Sequence, residues 1–430
     1  MIKNKFKGYK DCIEYLFRLE RAGIKYDLKN IKSLLNYSGN PQKSFKSIHV
    51  AGTNGKGSVS SIINSFLIEN GFKSGLYTSP HLIDFRERIL VDGKFISRKF
   101  IVEFVTGLYK EIEKIKPSFF EVTTAMAFAY FKYKKADYAV IEAGLGGRLD
   151  STNIITPRVS VITSISIDHT NFLGNTIESI TKEKGGIIKE GVPAVIGNVP
   201  GISKYILKKI ARDKNSGIVF SQRRNVIITK RTEKGFYFNS GTKLKNLYFP
   251  LTGDYQKNNI RTAHGVIDLI IDAEKIKPAG KIMSATFKNL KINSNFFGRF
   301  ELVSTRPKIV IDVSHNPQAI ENVRSNLKYY KFNKLIVIFA MMQDKDYKVS
   351  VRILERLKAK IIFTKPSYYR FAETNDLFNS LKKKSVHIIK DDLYDALLYA
   401  RQNTGVNDMI LVTGSFFLIS DFMKLLNKTN

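Results

Sequence analysis

Lysine, serine, carboxylate and imidazole side chains recur in this chain beside glycine-rich turns, the setting in which phosphate chemistry is done. The densest run is Ile48-His-Val-Ala-Gly-Thr-Asn-Gly-Lys-Gly-Ser58. β-Branched residues open it as a short buried strand, and the apolar spacing from Ser58 to Leu67 predicts a helix. Between them Gly52, Thr53, Asn54, Gly55, Lys56, Gly57 and Ser58 form a turn able to aim backbone N–H groups at an anion. The helix N-terminus adds partial positive charge and Lys56 a full one. The generic phosphate loop places Ser or Thr directly after Gly-Lys, whereas here Gly57 intervenes. A tight strand-to-helix turn with an exposed lysine is the competing reading.

Three further residues sit where strands should end. Lys73 to Thr78 reads as a strand, followed by Ser79. Tyr138 to Ala143 is an apolar strand broken only by Glu142, a carboxylate that is costly to bury unless paired or metal-bound. Val159 to Ile165 is another strand, with Asp168-His169 beyond it. A parallel sheet would gather Ser58, Ser79, Glu142 and His169 at one edge, as a Mg²⁺ site beside a nucleotide requires. Alternatively, Glu142 pairs with Arg148 and His169 is a satisfied loop histidine.

The elements that must position these groups alternate in type. Helices are expected at Tyr9 to Arg21 and Leu28 to Asn36, with Gly23 as the stop between them, and at Ser97 to Ile115 and Ser118 to Lys132. Further helices fit Thr176 to Lys189, Ile202 to Asn215, Asp254 to Glu274 and Lys281 to Leu290. The polar stretch Lys291 to Gly298 reads as a domain boundary. Beyond it, strands at Lys308 to Val313, Lys334 to Ala340, Lys360 to Thr364, Val386 to Lys390 and Met409 to Thr413 alternate with helices. The fold class is α/β, with two domains at 1–294 and 295–430 and the phosphate loop in the first. That pattern suits an ATP-using enzyme.

Composition narrows the class. Among 430 residues, hydrophobic types make up 43% and charged types 25%, an ordinary globular balance. The formal charge is +32, from 70 Lys plus Arg against 38 Asp plus Glu. The lysines are scattered rather than clustered, which favours solvated faces over a nucleic-acid footprint. The single cysteine, Cys12, suits a reducing cytosol. No apolar run approaches the roughly 20 residues of a membrane span, and no signal peptide opens the chain. The expectation is a cytoplasmic protein.

The phosphate-loop run resembles folylpolyglutamate synthase/dihydrofolate synthase, of the Mur ligase superfamily, in which the inserted glycine is usual. The resemblance continues in order through Thr78-Ser-Pro-His-Leu82, Glu87-Arg-Ile89, Glu142-Ala-Gly-Leu-Gly-Gly-Arg-Leu-Asp-Ser-Thr-Asn153, Asp168-His-Thr170 and Glu183-Lys-Gly-Gly-Ile187. It resumes at Gly298-Arg-Phe-Glu301, Asp312-Val-Ser-His-Asn-Pro317, Asp344-Lys-Asp346 and Thr413-Gly-Ser415. It implies a P-loop-type ATPase domain like the Mur central domain, carrying the folate site, and a C-terminal Rossmann-like ligase domain. The implied reaction joins L-glutamate to 7,8-dihydropteroate or to the γ-carboxyl of a folate polyglutamate, through an acyl phosphate, with ATP and two Mg²⁺ ions as cofactors.

Carried over by position, Gly52 to Ser58 are implied to bind the phosphates, and Lys56, Glu142, His169, Lys184 and His315 to be catalytic. Ser58, Ser79, Glu142 and His169 bind metal. Lys184 matches a lysine that the superfamily carbamylates to N6-carboxylysine, a ligand for a second ion, and an unmodified lysine salt-bridged to an acid is the alternative. Asn259 contacts adenine, with Asn258 the competing position. The family usually has His at Tyr255. Arg299 reaches the ATP phosphates and Asp312 the ribose. Leu28, Phe120, Glu121, Leu149 and Asp150 are implied to bind the pterin substrate, and His315 and Ser415 to lie at the glutamate. Partners would be these small molecules, without nucleic acid or membrane, for a commonly monomeric family. The alternatives are another Mur-type amino-acid ligase, against which the Gly57 insertion and the Arg148-to-Asn153 block stand, and a nucleic-acid-associated P-loop ATPase.

Overall fold

The computed structural model describes residues 5–20, 27–366, 368 and 370–429. Gly23, the expected helix stop, lies outside them. Two compact units form, Met1–Val226 with Asn258–Phe296, and Ile227–Lys257 with Phe297–Asn430.

The first unit is built on an eight-stranded sheet. Its strands are β1 (Lys46–Ala51), β2 (Ser74–Tyr77), β3 (Ile89–Val91), β4 (Lys94–Phe95), β5 (Tyr138–Glu142), β6 (Val159–Ser164), β7 (Ala194–Asn198) and β8 (Ile218–Phe220), in the order β4-β3-β2-β5-β1-β6-β7-β8. From β2 to β8 all pairings are parallel, and β3 and β4 add an antiparallel edge. Parallel strands covered on both faces must be apolar throughout, which is why Tyr138-Ala-Val-Ile-Glu142 is buried at every position. Helices α1 (Tyr9–Glu20), α2 (Lys29–Tyr37), α3 (Lys56–Glu69), α4 (Arg98–Ile115) and α5 (Phe119–Tyr133) precede β5. Residues of α1, α2, α4 and α5 share one core with Tyr77, Ala139 and Ile141. Ala51, Ile162 and Ile196 belong to a second core with Ile180 and Leu207.

The second unit carries a six-stranded sheet and a separate antiparallel one. β9 (Val226–Thr232), β10 (Gly235–Ser240) and β11 (Leu244–Phe249) make the smaller sheet. The larger contains β12 (Glu301–Thr305), β13 (Lys308–Asp312), β14 (Leu335–Phe339), β15 (Ala359–Phe363), β16 (Ile388–Ile389) and β17 (Met409–Thr413), ordered β12-β13-β17-β14-β15-β16. All its pairings are parallel except that of β12.

The division differs from the expected 294/295 cut in two ways. Residues 227–257 belong to the second unit, interrupting the first. The polar stretch expected to be a linker begins in a helix, Leu290–Ser294, packed on α3. Asn64 Nδ2 donates to the Asn293 carbonyl at 2.8 Å, and Asn293 Nδ2 donates to Ser65 Oγ at 2.9 Å. Its polar residues are buried hydrogen-bonding groups, which composition alone cannot tell from a solvated linker. The helix expected to run to Lys189 stops at Gly185, and the edge strands β3, β4 and β12 were not anticipated. No helix among the described residues is long and apolar enough to cross a membrane.

Candidate functional site

The order β2-β5-β1-β6 decides what can meet. These neighbouring parallel strands end at the same edge, where Ser79 follows β2, Glu142 closes β5, the phosphate loop follows β1 and Asp168-His169 follows β6. Tyr77 of β2 pairs with Ile141, the residue before Glu142, and Val50 of β1 pairs with Glu142 itself.

The loop is strapped to the end of β6. Thr53 N–H donates to the Ser164 carbonyl and Asn54 N–H to Ser164 Oγ, both at 2.9 Å. Thr163 Oγ1 donates to the Asn54 carbonyl at 2.7 Å. Thr163 and Ser164 were not singled out from sequence. The signal available was a Thr-Ser pair closing a strand whose other residues are apolar except Ser160. Gly55 caps α3 at φ 86°, and a Cβ there would lie 2.3 Å from Asn259 Oδ1. Asn259 is therefore seated on the phosphate loop, whereas Asn258 Oδ1 accepts from Arg261. Gly57, the extra glycine, is needed for close approach. A Cβ on it would sit 2.9 Å from the Phe296 ring and 3.6 Å from Glu142 Oε2.

Two lysines converge on this loop. Lys56 folds back, donating to the Gly52 carbonyl at 3.1 Å and the Thr53 carbonyl at 3.3 Å, with its Nζ 3.9 Å from Glu142 Oε1. Its side chain is only 19% exposed, so the exposed-lysine reading fails. Lys184, itself buried, also donates to the Gly52 carbonyl, at 3.0 Å. Glu142 is buried and does not take Arg148 as partner, since Arg148 pairs with Glu183 at 2.9 Å. Ser58 is buried in the first turn of α3. His169 stands in left-handed backbone at φ 51°, its amide donating to Asp168 Oδ1. Among the described residues no group of three or more His, Cys, Asp and Glu side chains is placed to hold a metal alone.

A second set flanks the glycine loop after β5. A Cβ on Gly144 would lie 2.5 Å from the Phe120 ring, whose centroid is 5.9 Å from that of Tyr77. Phe120 and Leu28 pack on the same core. Asp150 is buried and caps the turn Ser151–Ile154. Its carboxylate accepts from Leu145 N–H at 2.8 Å, Thr152 N–H at 3.0 Å and the Thr152 hydroxyl. Burial raises its pKa despite these donors. Glu121 closes a capping box with Ser118, and its Oε1 is buried with no hydrogen-bond partner among the described residues. Leu149 is half-buried.

The second unit groups its own candidates. Asp312 ends β13 and pairs with Thr413 of β17, which places His315 and Ser415 at the same sheet edge. The Arg299 guanidinium lies 4.9 Å over the Phe416 ring, and the His315 ring is 5.8 Å from Phe416. Asp312 accepts from Phe300 N–H at 2.7 Å and Ser314 N–H at 2.8 Å, and burial raises its pKa against the pull of Ser314 and Arg299. Ser415 Oγ accepts from Phe417 N–H at 3.1 Å.

Known proteins share this arrangement. The Mur ligase middle domain profile matches residues 50–267, and the Mur ligase glutamate ligase domain profile matches 298–416. A dihydrofolate synthase/folylpolyglutamate synthase of Bacillus subtilis is 32% identical over 437 residues, spanning 98% of this chain and 100% of the relative. A Mycobacterium tuberculosis folylpolyglutamate synthase complexed with ADP superposes with a TM-score of 0.86 at 28% identity, over 96% of this chain and 99% of that one. E. coli FolC in complex with DHPP and ADP gives 0.84 at 28% identity, over 97% and 98%.

Proposed function

The chain belongs to the dihydrofolate synthase/folylpolyglutamate synthase family of Mur ligases, and on that premise we propose that it joins L-glutamate to 7,8-dihydropteroate, to the γ-carboxyl of folylpolyglutamates, or to both, converting ATP to ADP and phosphate. A free carboxylate is a poor electrophile. Phosphorylation by ATP makes one of its oxygens a leaving group, the glutamate amine attacks the acyl phosphate, and phosphate departs from the tetrahedral intermediate. The observation that carries this reading is the convergence of Lys56 and Lys184 on the Gly52 carbonyl, with Glu142 beside them at the open edge of the sheet. Two buried or half-buried cations around a glycine loop suit a triphosphate and its developing charge.

The donors present fit magnesium. Glu142, Ser58 and Ser79 offer hard oxygens and His169 a nitrogen. The absence of an all-protein cluster among the described residues suits an ion that shares its shell with phosphates and water. When bound, Mg²⁺ neutralises charge between phosphate and acceptor carboxylate. Carbamylation of Lys184 would turn a buried cation into an anionic ligand for a second ion. Intact-protein mass in bicarbonate checks that step.

Phe120, Glu121, Leu149, Asp150 and Leu28 are assigned to the pterin end of the acceptor, supported by the seating of Phe120 on the glycine loop that Asp150 organises. Asn259, Arg299 and Asp312 are assigned to the nucleotide, and His315 and Ser415 to glutamate, supported by the shared edge of β13 and β17. We place the protein in the cytoplasm as a monomer, a location supported by its single, buried cysteine.

ADP release tests the reading, with ATP, Mg²⁺, L-glutamate and bicarbonate, adding 7,8-dihydropteroate in one reaction and a reduced folate monoglutamate in the other. Turnover in both makes the enzyme bifunctional, and turnover in one identifies the acceptor. Silence in both, from folded protein, overturns the folate assignment.

A further inference from the structure

His49 is wholly buried on β1, paired with Ile141 of β5 and Ser160 of β6, one strand away from the loop that holds Asp150. Its Nε2 lies 2.8 Å from Thr152 Oγ1, and the Thr152 hydroxyl donates to Asp150 Oδ1. A hydroxyl has one hydrogen. Because Thr152 gives its own to the carboxylate, His49 must supply the other as a neutral Nε2–H tautomer. Its Nδ1 is buried with no hydrogen-bond partner among the described residues. A lone pair there costs less than an N–H would, which agrees with the tautomer. Thr152 thus meets Oδ1 twice, by hydroxyl and by amide, so a ligand N–H must come to Oδ2, beside the Leu145 amide.

We propose that His49 and Thr152 are positioning residues for the acceptor substrate, forming a relay from the central strand that fixes the direction of the Asp150 carboxylate so that Oδ2 meets an N–H donor of a pterin ring. The proposal rests on the assignment of Asp150 to the acceptor. Burial holds His49 neutral, with its pKa pushed down to about 3, so the relay keeps one polarity across the working pH range.

The experiment measures KM for 7,8-dihydropteroate and for ATP, with melting temperature, in Thr152→Val, Thr152→Ser, His49→Met, His49→Gln and Asp150→Asn. Thr152→Val keeps shape and deletes the hydroxyl, and it stands in if His49→Met does not fold. The expected result is a rise of about tenfold in KM for dihydropteroate in Thr152→Val and His49→Met, the size of one lost buried hydrogen bond. KM for ATP should stay within twofold, and Thr152→Ser and His49→Gln, which retain the donors, should restore the parent value. If Asp150→Asn raises the dihydropteroate KM but Thr152→Val does not, the relay is overturned and the assignment stands. If Asp150→Asn itself leaves that KM unchanged, the assignment falls and the relay with it. Equal changes in both KM values together with lower melting temperature would reduce the relay to a structural contact.

Discussion

Gly55 and Asn259 show how little room the phosphate loop leaves. An alanine at Gly55 would have to adopt φ 86° and displace the Asn259 amide. Gly55→Ala should cost about 1–3 kcal/mol and lower the melting temperature, with a raised KM for ATP. The histidines carry a pH signature. Burial lowers the pKa of both His49 and His264 from 6.5 to about 3. The unfolded chain therefore takes up protons below pH 6.5 that the folded chain refuses, so stability is full above that pH and falls on acidification. Each histidine should remove about 2 kcal/mol at pH 5 relative to pH 7. Denaturant unfolding at the two pH values should show it, and His49→Gln should recover about 2 kcal/mol of the loss.

At the scale of elements, the short helix Leu290–Ser294 is held by buried polar contacts. Asn293→Ala would strip donors from Ser65 Oγ and Glu69 Oε1 and should destabilise the protein by about 1–3 kcal/mol, read as a shift in denaturation midpoint at constant m-value. The same contacts explain what the sequence could and could not reveal. β5 and β17 are apolar at nearly every position, so their period and burial agree and their limits were legible within a residue or so. So was the alignment of Ser79, Glu142 and His169 with strand ends, because parallel strands put their C-terminal ends at one edge. Asn293 looked like linker because its hydrogen-bond partners lie far away in the chain. Thr163, Ser164 and the His49–Thr152 contact were hidden for the same reason. The role of Lys56 was half legible: its charge was plain, but not that it folds back on Gly52.

At the scale of the molecule, a charge of +32 is expected to attract anionic substrates at long range. We expect KM for a folate polyglutamate to rise with ionic strength, and to rise more than KM for the monoglutamate, as charge on the acceptor grows. Steady-state kinetics across a salt series checks this, and a flat series would remove any steering role.

The path of the backbone has a consequence during synthesis. Residues 227–257 belong to the second unit, yet they leave the ribosome before residues 297–430, which complete it. Phe236, Phe238 and Phe249 end buried on this hairpin, and until the C-terminal segment is translated that hairpin lacks most of its unit. The nascent chain must carry an aromatic-rich ribbon with unpaired strand edges through this interval, when pausing or a missing chaperone would expose it to aggregation. Slower decoding after codon 297 should therefore lower the yield of folded protein more than equal slowing before codon 227.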